Sequence, residues 1–255
     1  MQTKIPFPAD AKGVLDKLEA LWTYADTATQ GNTIKWQGDL RRVILMQMTG
    51  AFHRTIRAIL SEIRGGSVDG LDSHIRSIVE GLISTKYILE DDTQMRARAF
   101  IAHDHRDRIA ELRRLIPLLE RNATPGMATV TDAQRYRNLL AQLEQELTQT
   151  ETQYGRDTIR WPSLQERARL SNAEELYATA FWLLSLDAHM TSRGLDRFMR
   201  DGGNNNFVVE LGQDLSRSYM HFRTAHICYL ALLNESNRLF GVPPREELDR
   251  FELRQ

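Results

Sequence analysis

The stretch HIRSIVEGLISTKYI, His74–Ile88, decides the fold. At about 100° per residue, Leu71, Ile75, Ile78, Val79, Leu82 and Leu89 fall on one side of a helix. Gly70, Ser77, Gly81 and Ser84 fall roughly opposite, and side chains this small let a second helix approach closely. A helix packed on two sides belongs inside a bundle. Arg76, Glu80 and Tyr87 share the stripe between those sides, which predicts that the stripe is buried. A buried carboxylate is costly unless paired. Arg76, one turn earlier, can supply the partner, although Arg before Glu is the weaker order on a helix.

The same 3.6-residue period runs outward in both directions, and strand alternation is nearly absent. Before the stretch, the pattern predicts a helix over Asp10–Thr29 with Val14, Leu15, Leu18, Leu21 and Trp22 on one face, then a long one over Trp36–Arg64 ended by Gly65-Gly66. After it come an Arg-rich helix over Thr93–Arg121, the loop NATPGMATVTD, and a helix over Asp132–Gln153. In the latter, Tyr136, Leu139, Leu140, Leu143 and Leu147 keep a near-heptad spacing, so these two helices read as an antiparallel hairpin. Ser163 with Glu166, and Ser171 with Glu174, read as capping boxes, the second opening a helix to Met190. DGGNNN reads as a loop before a last long helix over Val209–Phe240. The expected fold is all-α, a single helical bundle of about seven helices. An N-terminal helix and linker occupy 1–35, the bundle 36–240, with the hairpin 93–154 either a protruding arm or part of the main core, and a polar tail 241–255.

A second segment, YATAFWLLSLDAHM, Tyr177–Met190, is apolar in almost every direction, which marks a central helix. Ser185 and His189 lie one turn apart on it. Buried polar groups need partners, and the simplest arrangement lets Glu80 meet His189 or Ser185 across the helix interface. Together RSIVEGLISTKYI and YATAFWLLSLDAH resemble the two signature segments of a mainly bacterial, all-helical group, domain-of-unknown-function family 5677. Its pattern is an Arg-x3-Glu helix followed by a Tyr-rich helix ending in Ser-x3-His. The matching positions here are Arg76, Glu80, Tyr177, Ser185 and His189, with Trp161 ahead of the second segment. The resemblance covers roughly Leu40–Leu233 and implies a helical fold and a site at these residues, without a reaction.

Composition is that of an ordinary soluble chain: 42% hydrophobic, 26% charged, net charge −1. No global field draws it to nucleic acid or an anionic membrane. Lys stands only at 4, 12, 17, 35 and 86, and Arg supplies the other basic residues. Cys228, the only cysteine, lies in the apolar run HICYLALL and reads as a core residue in a reducing cytosol. MQTKIPFPADAKG has no secretory core, and YATAFWLLSL is too short to cross a bilayer. The expectation is a cytoplasmic protein with no membrane role.

For chemistry, the first candidate is a Glu80–His189 acid/base pair held by Arg76, with Ser185 or Tyr177 as proton donor. A carboxylate fixes an imidazole's tautomer and raises its basicity. The alternative is a buried network that fixes helix register, and a pocket would distinguish the two. The second candidate lies in RARAFIAHDHRDR, where Arg98 and His103 resemble the Arg-x4–6-His motif of HEPN ribonucleases. That resemblance implies metal-independent RNA cleavage. Its alternative is a solvated face, with Asp104, Asp107 and Glu111 offsetting the charge. Metal ligation is disfavoured, since His103-x-His105 on a helix points the rings apart and no His-Glu-x-x-His or cysteine cluster is present. His221 and His226 read as core histidines. No phosphate loop is present, so no cofactor is expected. The leading expectation is an interaction or sensor module of a bacterial stress or phage-defence system, with a protein partner or a second copy bound and RNA as a further ligand.

Overall fold

Local signals set the helix ends. In the computed structural model, which describes residues 5–29, 38–68, 70–121, 128–181, 199–203, 206–209 and 215–253, α1 spans Ala9–Thr29, α2 Leu40–Gly65 and α3 Leu71–Leu89. The Asp39 carboxylate caps α2 by accepting from the Arg41 N–H at 2.9 Å. Gly66 closes α2 in the left-handed region at φ 88°, as the Gly65-Gly66 pair predicts.

The chain divides into two compact units, Met1–Leu89 with Leu164–Gln255, and Glu90–Ser163. In the first, α8 (Ser218–Phe240) packs against α1, α2 and α3. Its core joins Leu18 and Leu21 of α1, Ile56 and Ile59 of α2, Ile75 and Ile78 of α3, and Phe222 and Tyr229 of α8. The N-terminal helix is therefore part of this core rather than a separate element. The polar tail joins this core as well. Leu248 of the short α9 (Arg245–Leu248) is fully buried in the same cluster, and Asn237 Nδ2 donates to the Pro243 carbonyl at 2.7 Å. The sequence hides this because one buried leucine among charged neighbours has no period.

The six apolar positions assigned to one side of α3 are all buried. The small-residue face packs closely at Gly81, where a Cβ would lie 2.6 Å from Phe52 Cε2 of α2.

The second unit is the helical hairpin, α4 (Met95–Arg121) and α5 (Ala128–Tyr154). Arg106–Glu151, Arg113–Glu144 and Glu120–Arg137 pair in descending order along α5, which makes the helices antiparallel. Tyr136, Leu139, Leu140, Leu143 and Leu147 of the near-heptad pack with Ile109, Leu112 and Ile116.

Three expectations change. α6 (Leu164–Leu170) is followed by α7 (Glu174–Leu176), whose cap is Ala173 with no side-chain bond. Ser171 instead donates to the Arg167 carbonyl at 2.8 Å, so it does not form a capping box. α7 continues into a π-helical turn over Tyr177–Phe181. DGGNNN is not a plain loop: Asp201–Gly203 end β1 (Met199–Gly203) and Asn206 opens β2 (Asn206–Val209), which pairs with it antiparallel. Gly and Asn close hairpins as readily as they break helices, and FVV is a short strand-forming run. The last long helix accordingly begins at Ser218 rather than Val209.

Candidate functional site

The polar stripe of α3 receives a residue that sequence reasoning missed. α6 packs on α3 and carries Arg167, which is 6% exposed. Arg167 Nη1 donates to Ser84 Oγ, and Ser84 Oγ in turn donates to the Glu80 carbonyl at 2.7 Å. Arg167 Nη2 stands 3.9 Å from Glu80 Oε1. Burial pulls the Arg167 guanidinium below its ordinary pKa, opposed by the charge of Glu80 and by Tyr87. Glu80, Ser84 and Tyr87 sit at successive turns, so one guanidinium is held along a single helix face.

Glu80 itself is not buried. Its side chain is 48% exposed, which corrects the expectation of a buried carboxylate. Arg76 is half-buried and Tyr87 is buried. Tyr177 is half-buried, and its π-helical turn packs against α3, which brings the start of the second signature segment onto the first. Ser185 and His189 lie outside the described residues. The stripe thus joins Glu80, Ser84, Tyr87 and Arg167. The only available hint of Arg167 was an arginine beside Ala168 in the short segment LQERARL.

The Arg-rich helix gives its residues other neighbours. Arg98 Cζ lies 4.5 Å from the centroid of the Tyr154 ring, a cation–π contact. His103 stacks on Trp161 at 6.4 Å between centroids, and its Nε2 is 3.5 Å from Asp107 Oδ2. Each is thus engaged by a different ring. Among the described residues, no three His, Cys, Asp or Glu side chains converge to hold a metal ion.

Two expected core histidines are core histidines. His221 Nε2 lies 2.8 Å from Asp72 Oδ1, and His226 Nε2–H donates to the Phe251 carbonyl at 2.7 Å. Burial lowers the His226 pKa.

A third centre had no single-stretch signal. His53 of α2 bonds through Nε2 to Asp26 of α1 at 3.1 Å and through Nδ1 to the Tyr229 hydroxyl of α8 at 2.7 Å. Trp22 stacks on the imidazole at 4.9 Å, and its Nε1–H donates to the His53 carbonyl at 3.1 Å. Burial pulls the His53 pKa below its ordinary value against the pull of Asp26. It pushes the Tyr229 phenol well above its ordinary value. Both shifts favour the neutral side chain. The signal would have been a polar residue at each of three helix faces otherwise apolar, far apart in sequence.

These features define a predominantly helical protein in which a buried arginine of one helix is seated along the polar stripe of another. The chain belongs to a family of unknown function, DUF5677, whose model matches residues 42–207, well over half of its 255 residues. That span takes in α3, α6 and the π-helical turn, while Asp26 and Tyr229 lie outside it. No curated protein and no solved structure matches the chain. Among the described residues, no helix is long and apolar enough to cross a membrane.

Proposed function

We propose that the protein is a helical interaction module of a bacterial stress or phage-defence system, with the α4–α5 hairpin as its partner-binding arm and a second copy of the chain as the first partner to test. The reading is supported by two exposed leucines of the hairpin. Leu115 and Leu118, three residues apart on α4, are 38% and 53% exposed although the hairpin already has a core of its own. Exposed apolar side chains flanked by ion pairs are the usual make-up of a contact surface. The test is sedimentation velocity on the full chain and on Leu115→Glu/Leu118→Glu, with phage plating on cells carrying each. The expected outcome is a dimer that the substitutions split, with loss of protection. Equal mass and equal plating for the two forms would reject the reading.

A ribonuclease reading at Arg98 and His103 draws support from the exposure of His103, whose side chain is 43% accessible beside Asp107. It requires that total RNA decays on expression and that His103→Ala stops the decay. An acid/base role for Glu80 with His189 draws support from the packing of the Tyr177–Phe181 turn on α3. It requires that Glu80→Gln abolishes a turnover without altering the unfolding transition.

A further inference from the structure

Between the end of α1, the first half of α2 and the last turns of α8 lies a cavity of about 240 Å³. Met46, Leu233, Phe240 and Val242 give it an apolar wall. An apolar cavity of about 150 Å³ already holds a benzene molecule, so this one has room for a single ring with a polar head. The remaining border is polar, and its hydrogen-bond polarity can be worked out atom by atom.

Thr29 Oγ1 lies 2.7 Å from the Ala25 carbonyl, and Thr49 Oγ1 2.8 Å from the Leu45 carbonyl. A carbonyl only accepts, so both hydroxyl hydrogens are directed into the helix backbone. Thr49 Oγ1 is also 2.8 Å from Ser236 Oγ. With its own hydrogen already engaged, Thr49 accepts there and Ser236 donates. At the floor, the Asp26 carboxylate accepts from His53 Nε2–H, which leaves His53 Nδ1 as an acceptor and makes Tyr229 the donor. Among the described residues, every hydroxyl hydrogen on the border is therefore directed at the protein. What Thr29, Thr49 and Ser236 turn toward the cavity is oxygen lone pairs. The backbone N–H groups of α2 and α8 at this level are engaged within their helices.

Charge does not select a ligand here. Charges of both signs stand near it: Asp26 and Arg57 act on His53 with opposite effect, and Arg54 lies within 3.8 Å of a Cβ placed on Gly50. Arg42 lies over the outer Phe240 ring at 4.9 Å. Hydrogen-bond polarity does select. We infer that this cavity is a binding site for a small molecule that presents an N–H-donating head, a primary amine or amide, on an apolar body of one ring. The site is independent of the hairpin and of the α3 stripe, so it stands or falls separately from the interaction reading.

Gly50 supplies a test that leaves the fold in place. It borders the cavity from within α2, and only the flexible tip of Arg54 comes near an added Cβ. Gly50→Leu fills the space with a better helix former. The experiment is titration of the full chain at pH 8, by calorimetry and ligand-observed NMR, with benzylamine, aniline and benzoate. Benzylamine carries a charged N–H head, aniline a neutral one, and benzoate only acceptors. Binding of either amine, at least tenfold tighter than benzoate, is expected. Ser236→Ala should weaken it about fivefold, the loss of one hydrogen bond. Gly50→Leu should abolish it with the melting temperature retained. Benzoate binding as well as the amines, no binding by any probe, or amine binding untouched by Gly50→Leu would each overturn the inference.

Discussion

Replacing Gly81 with alanine isolates the contact that shapes the α3 site. Two effects oppose each other. Alanine is the better helix former in a helix interior by about 1 kcal/mol. Against that, the new Cβ would stand 2.6 Å from Phe52 Cε2 and 3.1 Å from Cζ, well inside carbon–carbon contact, and Phe52 is only 3% exposed. Overpacking of this kind costs about 1–3 kcal/mol. A ring held on all sides places the cost at the upper end, so the net loss is about 2 kcal/mol. For a unit of this size that lowers the melting temperature by roughly 4–8 °C. Gly13 of α1 is the internal control, because nothing lies within 4 Å of its added Cβ. Gly13→Ala should stabilise by about 0.5–1 kcal/mol. Urea unfolding of both variants, with Phe52→Leu alone and combined with Gly81→Ala, gives the coupling directly. If Gly81→Ala matched or exceeded the wild type, or if Phe52→Leu did not relieve its cost, the close α2–α3 approach would be refuted.

Two further outcomes follow from buried titratable groups. His226 is fully buried, its Nδ1 has no hydrogen-bond partner among the described residues, and burial lowers its pKa. Unfolded histidine titrates near about 6.5. Between that value and the lower folded one the unfolded chain binds more protons, so stability rises with pH there and falls on acidification from pH 7.5 to 5.5. His226→Gln should flatten that slope in urea midpoints, and an unchanged slope would reject the assignment. Burial pushes the Cys228 thiol up to about 12. A disulfide reagent at pH 8 should therefore label native protein only at the rate of unfolding, and fast stoichiometric labelling of native protein would contradict its burial.

Period alone determined that α1 to α5 and α8 are helices, that α3 is packed on two sides, and that Tyr136 to Leu147 zip against α4. Each follows from one side chain per 100° of local backbone, a property written contiguously in the chain. It likewise made Cys228 a core residue. Pairings between distant segments are not written that way. Arg167 reaches Ser84 across 83 positions of sequence, and His53 reaches Tyr229 across 176. The apolarity of its neighbours predicts an interior Glu80, yet its side chain is half-exposed beside Arg167. Helix periodicity fixes which faces are apolar, but the rotation and partner of each helix are set by close contacts between helices. Only the tertiary structure decided which polar groups meet, and so where a ligand could be held.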